Sequence, residues 1–334
     1  MEKRLGKWPD ERCLPSPNFG YLEVETFMMR IEEIFWKNLQ GIRMENEFLS
    51  VVLLPVLGGK VASIYCRDKD FEMVAQCDKE AYRLPEFGAD FSAYDASGLD
   101  DMFPNISAAE VELDGKKYSY PDHGEIWSRP FQAEISENGV RLSCRSDLFG
   151  YEYEKNVFLQ GERICMAYEI HNRNECPLPC IWTFHGLMRY EENMEILYGN
   201  DVQRFRNVFE SRELGNVDEI YQRENGVYDF GKVPGARSRT MVKYYAEDRV
   251  KDGFCGYRYP SHRLECRYHY DPEKLPYLGV WISAGGFRGD YNCALEPANG
   301  YYDDIRIAHR NQSLYYLQKG KPLQFTLELE VCKY

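Results

Sequence analysis

The stretch "PDHGEIWSRP" gathers side chains that could carry out chemistry within ten positions. Three can hold or move protons, one offers a flat aromatic surface and one is a fixed cation. They are, in that order, Asp122, His123, Glu125, Trp127 and Arg129. Two interpretations are open at this point. The stretch is either a polar turn between two strands or one wall of a small-molecule site.

Three further segments join a turn to chemically capable residues: "GLDDMFPNI" (98–106), "WTFHGLMRY" (182–190) and "NCALEPANG" (292–300). His123 and His185 each precede a glycine, and Glu296 precedes a proline. This pattern favours positions at strand ends, where a rigid sheet can aim a side chain into a cleft. The four segments are therefore candidates for one common site.

Each candidate also has a purely structural interpretation. A single histidine in a β-rich chain more often belongs to the core or the surface, and we assign four others to that class: His171, His262, His269 and His309. Glu296 follows the apolar residues "CAL", so its carboxylate is either buried with a partner or placed at the rim of a sheet. The joint occurrence of the segments favours the functional interpretation.

The elements that must position these residues are predicted to be strands. Period-two alternation dominates the readable segments, and "AEVELDGKKYSYP" and "QAEISENGVRLSCRS" have the Asp-Gly and Asn-Gly turns of hairpins. Only "ETFMMRIEEIFWKN" fits a short helix and a strand equally well. We predict an all-β fold, a large antiparallel sandwich, with residues 1–20 as an N-terminal arm and residues 21–334 as a single domain.

Composition excludes several functional classes. The chain has 334 residues and a formal net charge of -13, which argues against nucleic-acid binding and against an anionic membrane surface. Its basic clusters, "RFRNVFESR" and "PGARSRTMVK", are interpreted as solvated faces. No segment approaches the ~20 consecutive apolar residues of a membrane-spanning helix.

The cysteine pattern indicates a reducing compartment. Eleven cysteines are scattered without a CxxC pair, and Cys176 and Cys180 lack the second pair that a zinc site needs. Reduced thiols in a cytoplasmic protein fit this pattern. The first residues contain no apolar run, so no signal peptide is expected.

Taken in order, the four segments resemble those of the aldose 1-epimerase, or galactose mutarotase-like, superfamily. "PDHGEIWSRPF" is similar to the family's first His segment, "WTFHGLMRY" to its second, and "ALEPANG" to the segment that carries the catalytic Glu. "LLPVLGGKVASIYCRD" resembles the family's N-terminal hairpin. The resemblance runs from about residue 40 to 334 and implies a β-supersandwich that interconverts the α and β anomers of a free sugar.

The resemblance also implies roles for individual residues. Glu296 would be the general base, His185 the general acid and His123 a substrate-binding group at the ring end of the sugar. Asp101 and Trp127 are the positions expected to contact the sugar. The implied reaction opens and recloses the pyranose ring by proton transfer, so it needs no metal and no cofactor.

This sequence differs from two branches of the family at positions that affect which substrate is expected. The galactose-specific branch has an arginine-rich segment where this chain has Asp100 and Asp101, and carboxylates cannot donate to sugar hydroxyls as a guanidinium does. The phosphate-binding branch has an arginine soon after the first His-Gly, where this chain has Glu125. The substrate-holding acid of the second half has no clear counterpart, and Asp252 is the nearest candidate.

Two other functions fit the sequence. One is a sugar-binding module that keeps the fold without the reaction. The other is a cupin-like metal enzyme using Asp122, His123, Glu125 and a distant histidine, although the chain lacks the His-x-His pair that cupins use. The identity of the sugar and the oligomeric state are left open by the sequence.

Overall fold

The computed structural model describes residues 29–94 and 96–334, and strands dominate them. The reason is visible in the segment Tyr151–Gln160, where buried and partly buried residues alternate along the strand. Such alternation gives each strand one face for the core and one for solvent. The prediction of an all-β antiparallel sandwich is confirmed.

The larger sheet has twelve strands in the described part of the chain, in the order β1-β2-β3-β4-β6-β14-β22-β21-β18-β16-β17, with β5 paired to β4. Neighbouring strands are antiparallel. The strands are β1 Arg30–Trp36, β2 Leu39–Glu45, β3 Leu49–Leu54, β4 Lys60–Cys66, β5 Phe71–Glu72, β6 Leu99–Met102, β14 Thr183–Arg189, β16 Arg204–Asn207, β17 Ile220–Gln222, β18 Thr240–Ala246, β21 Tyr277–Ala284 and β22 Tyr291–Ala298.

The second sheet has eight strands in the order β15-β19-β20-β24-β12-β11-β10-β9. It covers one face of the larger sheet, and a single cluster of buried apolar side chains draws on both sheets. Its strands are β9 Gln132–Ser136, β10 Gly139–Ser146, β11 Tyr151–Gln160, β12 Arg163–Asn172, β15 Glu195–Tyr198, β19 Phe254–Tyr259, β20 Leu264–Tyr270 and β24 Leu323–Lys333.

Small elements complete the described fold. Two strand pairs and one short helix lie beside the sheets: β7 Ala109–Leu113 with β8 Lys116–Tyr120, β13 Leu178–Cys180 with β23 Tyr315–Leu317, and α1 Ile305–Arg310. Four 3₁₀ turns are also present: Arg67–Lys69, Phe91–Ala93, Ile126–Ser128 and Ala236–Ser238. None of the helices in the described residues is long and apolar enough to span a membrane.

The hairpin predictions agree with the structure. The β7–β8 turn has Asp114 and Gly115 at positive φ, 52° and 75°, as an Asp-Gly hairpin turn requires. The segment that fitted a helix and a strand equally well forms strand β1 over Arg30–Trp36. The arm predicted for residues 1–20 lies outside the described residues. The division into this arm and a single domain over residues 21–334 therefore stays a prediction.

Candidate functional site

A row of side chains crosses one face of the larger sheet through β6, β14, β22, β21 and β18. The register pairs Asp100 with His185, Gly279 with Glu296, and Tyr245 with Gly279. Residues directly opposite each other in antiparallel strands point to the same face. The strand register therefore brings His185 and Glu296, which are far apart in the sequence, into the same row.

Glu296 lies in this row and is only 1% exposed. Its Oε1 lies 3.7 Å from Nε2 of His185, and its Oε2 lies 3.6 Å from Nζ of Lys243. Neither oxygen accepts a hydrogen bond from the described residues. Gly279 makes room for the carboxylate, since a Cβ there would lie 2.9 Å from Oε2. A buried carboxylate without hydrogen bonds is costly, which marks it as a candidate for binding or catalysis.

Lys243 is a site residue that the sequence analysis missed. We interpreted "PGARSRTMVK" as a solvated face, but the Lys243 side chain is only 12% exposed and its Nζ lies 2.6 Å from Oδ2 of Asp303. Tyr245 donates a hydrogen bond of 2.5 Å to the other oxygen of Asp303. The available signal was the alternation of "TMVKYY", which indicates a strand and therefore a lysine that points to one face of a sheet.

His123 approaches the row from the loop that follows β8. It has φ 55°, and Gly124 follows at φ 75°. A Cβ at Gly124 would lie 2.5 Å from the carbonyl oxygen of Phe103, so only glycine fits this close approach. The imidazole stacks on Phe91 with 4.4 Å between ring centroids, and its Nδ1 lies 3.0 Å from Oδ1 of Asp122.

The two imidazoles and Lys243 open into one cavity of about 210 Å³. The ring centroids of His123 and His185 are 5.6 Å apart, with the ring planes nearly perpendicular. The other lining residues are mainly aromatic or polar: Phe91, Ser92, Ala96, Leu187, Phe209, Met241, Trp281, Phe287, Arg288 and Asn292. Aromatic surfaces beside convergent polar groups are typical of a small-molecule site.

Burial shifts the pKa values of the two central groups in opposite directions. Loss of solvent raises the pKa of Glu296 to about 7, although the charge of Lys243 opposes the change. Loss of solvent also holds the pKa of His185 well below its usual range, and the positive charges of His123, Lys243 and Lys60 act in the same direction. At neutral pH the site therefore holds a partly ionised Glu296 and a neutral His185.

The carboxylate of Asp122 lies next to the ring of His123. Burial acts to raise the pKa of Asp122, but the adjacent ring of His123 and the backbone N–H of Phe91 outweigh it and leave that pKa lowered. Asp122 is therefore ionised at neutral pH. It connects the backbone of Phe91 to the ring of His123.

No protein-family model matches the sequence, and a search of curated proteins gave no significant match. Solved structures are similar. A galactose mutarotase-like protein from Clostridium acetobutylicum has a TM-score of 0.70 at 14% identity, covering 92% of this chain and 99% of that chain. A galactose mutarotase related enzyme from Lactobacillus acidophilus has a TM-score of 0.65 at 13% identity, covering 88% and 97%. The chain has the galactose mutarotase-like fold. A galactose mutarotase-like protein from Lactobacillus casei has a TM-score of 0.64 at 17% identity, covering 87% and 100%.

Within this galactose mutarotase-like fold, Asp101 does not reach the cavity. It lies on the opposite face of β6 from Asp100, between the two sheets, where its oxygens bind Nζ of Lys155 at 2.8 Å and the hydroxyl of Tyr168 at 2.9 Å. Asp100 is the acid on the cavity face, and it pairs with the buried Lys60. Successive strand residues point to opposite faces, so the sequence motif alone did not distinguish these two acids.

Trp127, the second residue expected to contact the sugar, does not line the cavity either. Its ring packs edge-on against Phe91 at 5.0 Å, and its indole N–H donates to the carbonyl of Asp122 at 3.1 Å. Phe91 lines the cavity and Trp127 does not. The tryptophan therefore supports the ring on which His123 stacks.

The other polar residues of the motif are engaged elsewhere. Glu125 is fully buried and lies 2.6 Å from Nε of Arg129, and it accepts hydrogen bonds from Ser146 and Tyr151. It does not face His123 as a shared metal site would require. Asp252 accepts the backbone N–H of Asn200 and does not line the cavity.

A second concavity in the described residues is a wider groove of about 880 Å³ over strands β9 to β12. It contains none of the five residues predicted for the site. Acids and bases line it together, including Arg141 and Glu154, which pair with each other at 2.5 Å. The cavity with the two imidazoles is therefore the better candidate for chemistry.

Proposed function

We propose that the protein is an aldose 1-epimerase that interconverts the α and β anomers of a free aldose. The observation that carries this proposal is the buried, hydrogen-bond-free carboxylate of Glu296 beside His185 and Lys243, which line one cavity together with His123. The galactose mutarotase-like fold supports it, since its neighbours are described as galactose mutarotase-like. No cofactor is required.

Glu296 is the proposed general base. Its carboxylate would take the proton from the anomeric hydroxyl, which opens the C1–O5 bond and leaves a free aldehyde. A pKa of about 7 makes Glu296 a stronger base than an exposed glutamate and still leaves part of it ionised at neutral pH. Rotation about C1 and reclosure on the other face would complete the exchange.

An imidazole is the proposed general acid, which protonates the ring oxygen. The resemblance assigns this role to His185, but the lowered pKa of His185 makes it neutral and a poor acid at rest. The ring of His123 lines the same cavity, with its Nδ1 3.0 Å from Oδ1 of Asp122. Because His185 is neutral, we propose His123 as the donor and His185 as a hydrogen-bonding partner of the sugar.

The proposed substrate is a small free sugar. Phe91 and Trp281 present rings on which an apolar sugar face can stack, and Asn292 and Lys243 can bind hydroxyls. Nothing in this lining selects galactose. We also propose a cytoplasmic location, which the free and exposed thiol of Cys176 supports.

The test is exchange between anomers, measured by NMR saturation transfer across a panel of free aldoses. We expect accelerated exchange for at least one sugar, and loss of that acceleration in Glu296→Gln. Glu175→Gln is the matched control, because Glu175 is an exposed glutamate paired with Lys319. If no sugar exchanges faster with the wild-type protein than in buffer, the proposed reaction is refuted.

A comparison of two variants tests which histidine is the general acid. We expect His123→Asn to lower the rate of anomer exchange more than His185→Asn does. Loss of the general acid should lower that rate roughly 100- to 10,000-fold. The reverse order would return the acid role to His185.

The neutral state of His185 also favours a second candidate, a sugar-binding protein without catalysis. This candidate predicts saturable binding of a sugar, seen by calorimetry, together with unchanged anomer exchange. The same panel therefore separates the two functions.

A further inference from the structure

An ion pair lies next to the proposed base. Nζ of Lys243 is 2.6 Å from Oδ2 of Asp303 and 3.6 Å from Oε2 of Glu296. Lys243 comes from β18, while Glu296 comes from β22 and Asp303 from the segment before α1. Lys243 also lines the cavity, so one side chain contacts both the Glu296 carboxylate and the space for a ligand.

Several ionisable groups face the carboxylate of Glu296. His185 on β14 and Lys243 are within 4 Å, and Asp303, His123 and Tyr245 act at longer range. Of the two groups within 4 Å in the described chain, only Lys243 carries a positive charge at neutral pH, because His185 is neutral.

We propose that Lys243 is a functional residue of this site: anchored by Asp303, its ammonium favours the ionised form of Glu296 and donates a hydrogen bond to a sugar oxygen in the cavity. The donor role toward the sugar rests on the function proposed above. The effect on Glu296 does not, since it is a property of the protein without ligand.

The physical reason is the opposition between burial and charge. A carboxylate that is 1% exposed favours its protonated form, and a protonated Glu296 could not act as a base. An ammonium within about 4–6 Å favours the ionised form. Three hydrogens on Nζ allow one to bind Asp303 while others face Glu296 and the cavity.

Lys243 is not a nucleophile here. Burial acts to lower its pKa, but the charges of Asp303 and Glu296 outweigh burial and raise that pKa above the usual range. The amine is therefore protonated at neutral pH and cannot attack the aldehyde of an opened sugar. Its positive charge and its hydrogens are what it contributes.

The test is the titration of Glu296, followed by the chemical shift of its ¹³C-labelled carboxyl group. We expect Lys243→Met to raise the midpoint by roughly 1–3 pH units, the size expected for loss of a close opposite charge. Lys243→Arg should restore most of the original midpoint. Lys319→Met is the matched control, because Lys319 pairs with the exposed Glu175 on the surface. It should leave the midpoint unchanged.

Asp303→Asn gives a prediction of the opposite sign. Removing this negative charge should lower the midpoint of Glu296, since Asp303 raises it in the native protein. Lys243→Gln is the second neutral variant if Lys243→Met does not fold, which circular dichroism would reveal, and it should raise the midpoint in the same way. An unchanged midpoint in the folded variants would overturn the proposal.

The sugar contact is tested separately. In a folded Lys243→Met protein, assayed above its own Glu296 midpoint, KM for the active aldose should rise roughly tenfold or more. An unchanged KM would overturn the hydrogen bond to the sugar. A shifted midpoint without anomer exchange in any variant would instead refute the epimerase function and leave the Lys243–Glu296 coupling intact.

Discussion

Replacing Glu296 by glutamine should change the free energy of unfolding and the rate of anomer exchange in opposite senses, towards higher stability and lower activity. The change keeps the shape of the side chain and removes its ability to ionise. If Glu296 is the base, exchange should fall roughly 100- to 10,000-fold, because that is the usual contribution of such a group.

The same change should stabilise the fold at neutral and alkaline pH. The pKa of Glu296 rises from 4.5 to about 7, a difference of about 2.5 pH units. At about 1.4 kcal/mol per unit, the ionised form costs on the order of 3 kcal/mol in the folded state. A raised folded pKa means that the cost is absent below pH 4.5 and grows as the pH rises to 7.

Urea unfolding at pH 4.5 and pH 8 measures this difference. We expect Glu296→Gln and the wild-type protein to have similar free energies of unfolding at pH 4.5. At pH 8 the variant should be more stable by up to about 3 kcal/mol. A variant that is less stable than wild type at pH 8, or that retains near-normal exchange, would refute the reasoning about this carboxylate.

Three further predictions follow from the same contacts. The exchange rate should fall with a midpoint near pH 7 as the medium becomes acidic, because Glu296 must be ionised, and a rate that is flat from pH 5 to 8 would contradict this. Asp101→Asn should reduce the free energy of unfolding by about 3–5 kcal/mol in urea, since it leaves Lys155 buried without its ion pair. Its folded fraction should keep normal kcat, and a selective loss of kcat would return Asp101 to the site. Phe91→Ala should raise KM for the sugar roughly tenfold by removing the ring under His123, whereas Phe35→Ala, at an 80% exposed position, should not.

The sequence indicated which residue types belong to the candidate site, but it did not indicate the charges that surround them. The His-Gly and Glu-Pro segments pointed to His123, His185 and Glu296, and the structure places both imidazoles in one cavity, with Glu296 3.7 Å from His185. Lys243 was missed because a lysine in a basic cluster normally faces solvent. Its pairing with Asp303 depends on the strand order, which places β18 beside β21 and one strand away from β22.

The sequence by itself determined the class of the fold and its hairpins, because alternation and the Asp-Gly and Asn-Gly turns act between residues that are close along the chain. Only the tertiary structure decided which acid of the pair Asp100 and Asp101 faces the cavity, since a one-residue change of strand register exchanges the two faces. It also decided the protonation states of Glu296 and His185. Those depend on burial and on charges from distant strands, which no local pattern encodes.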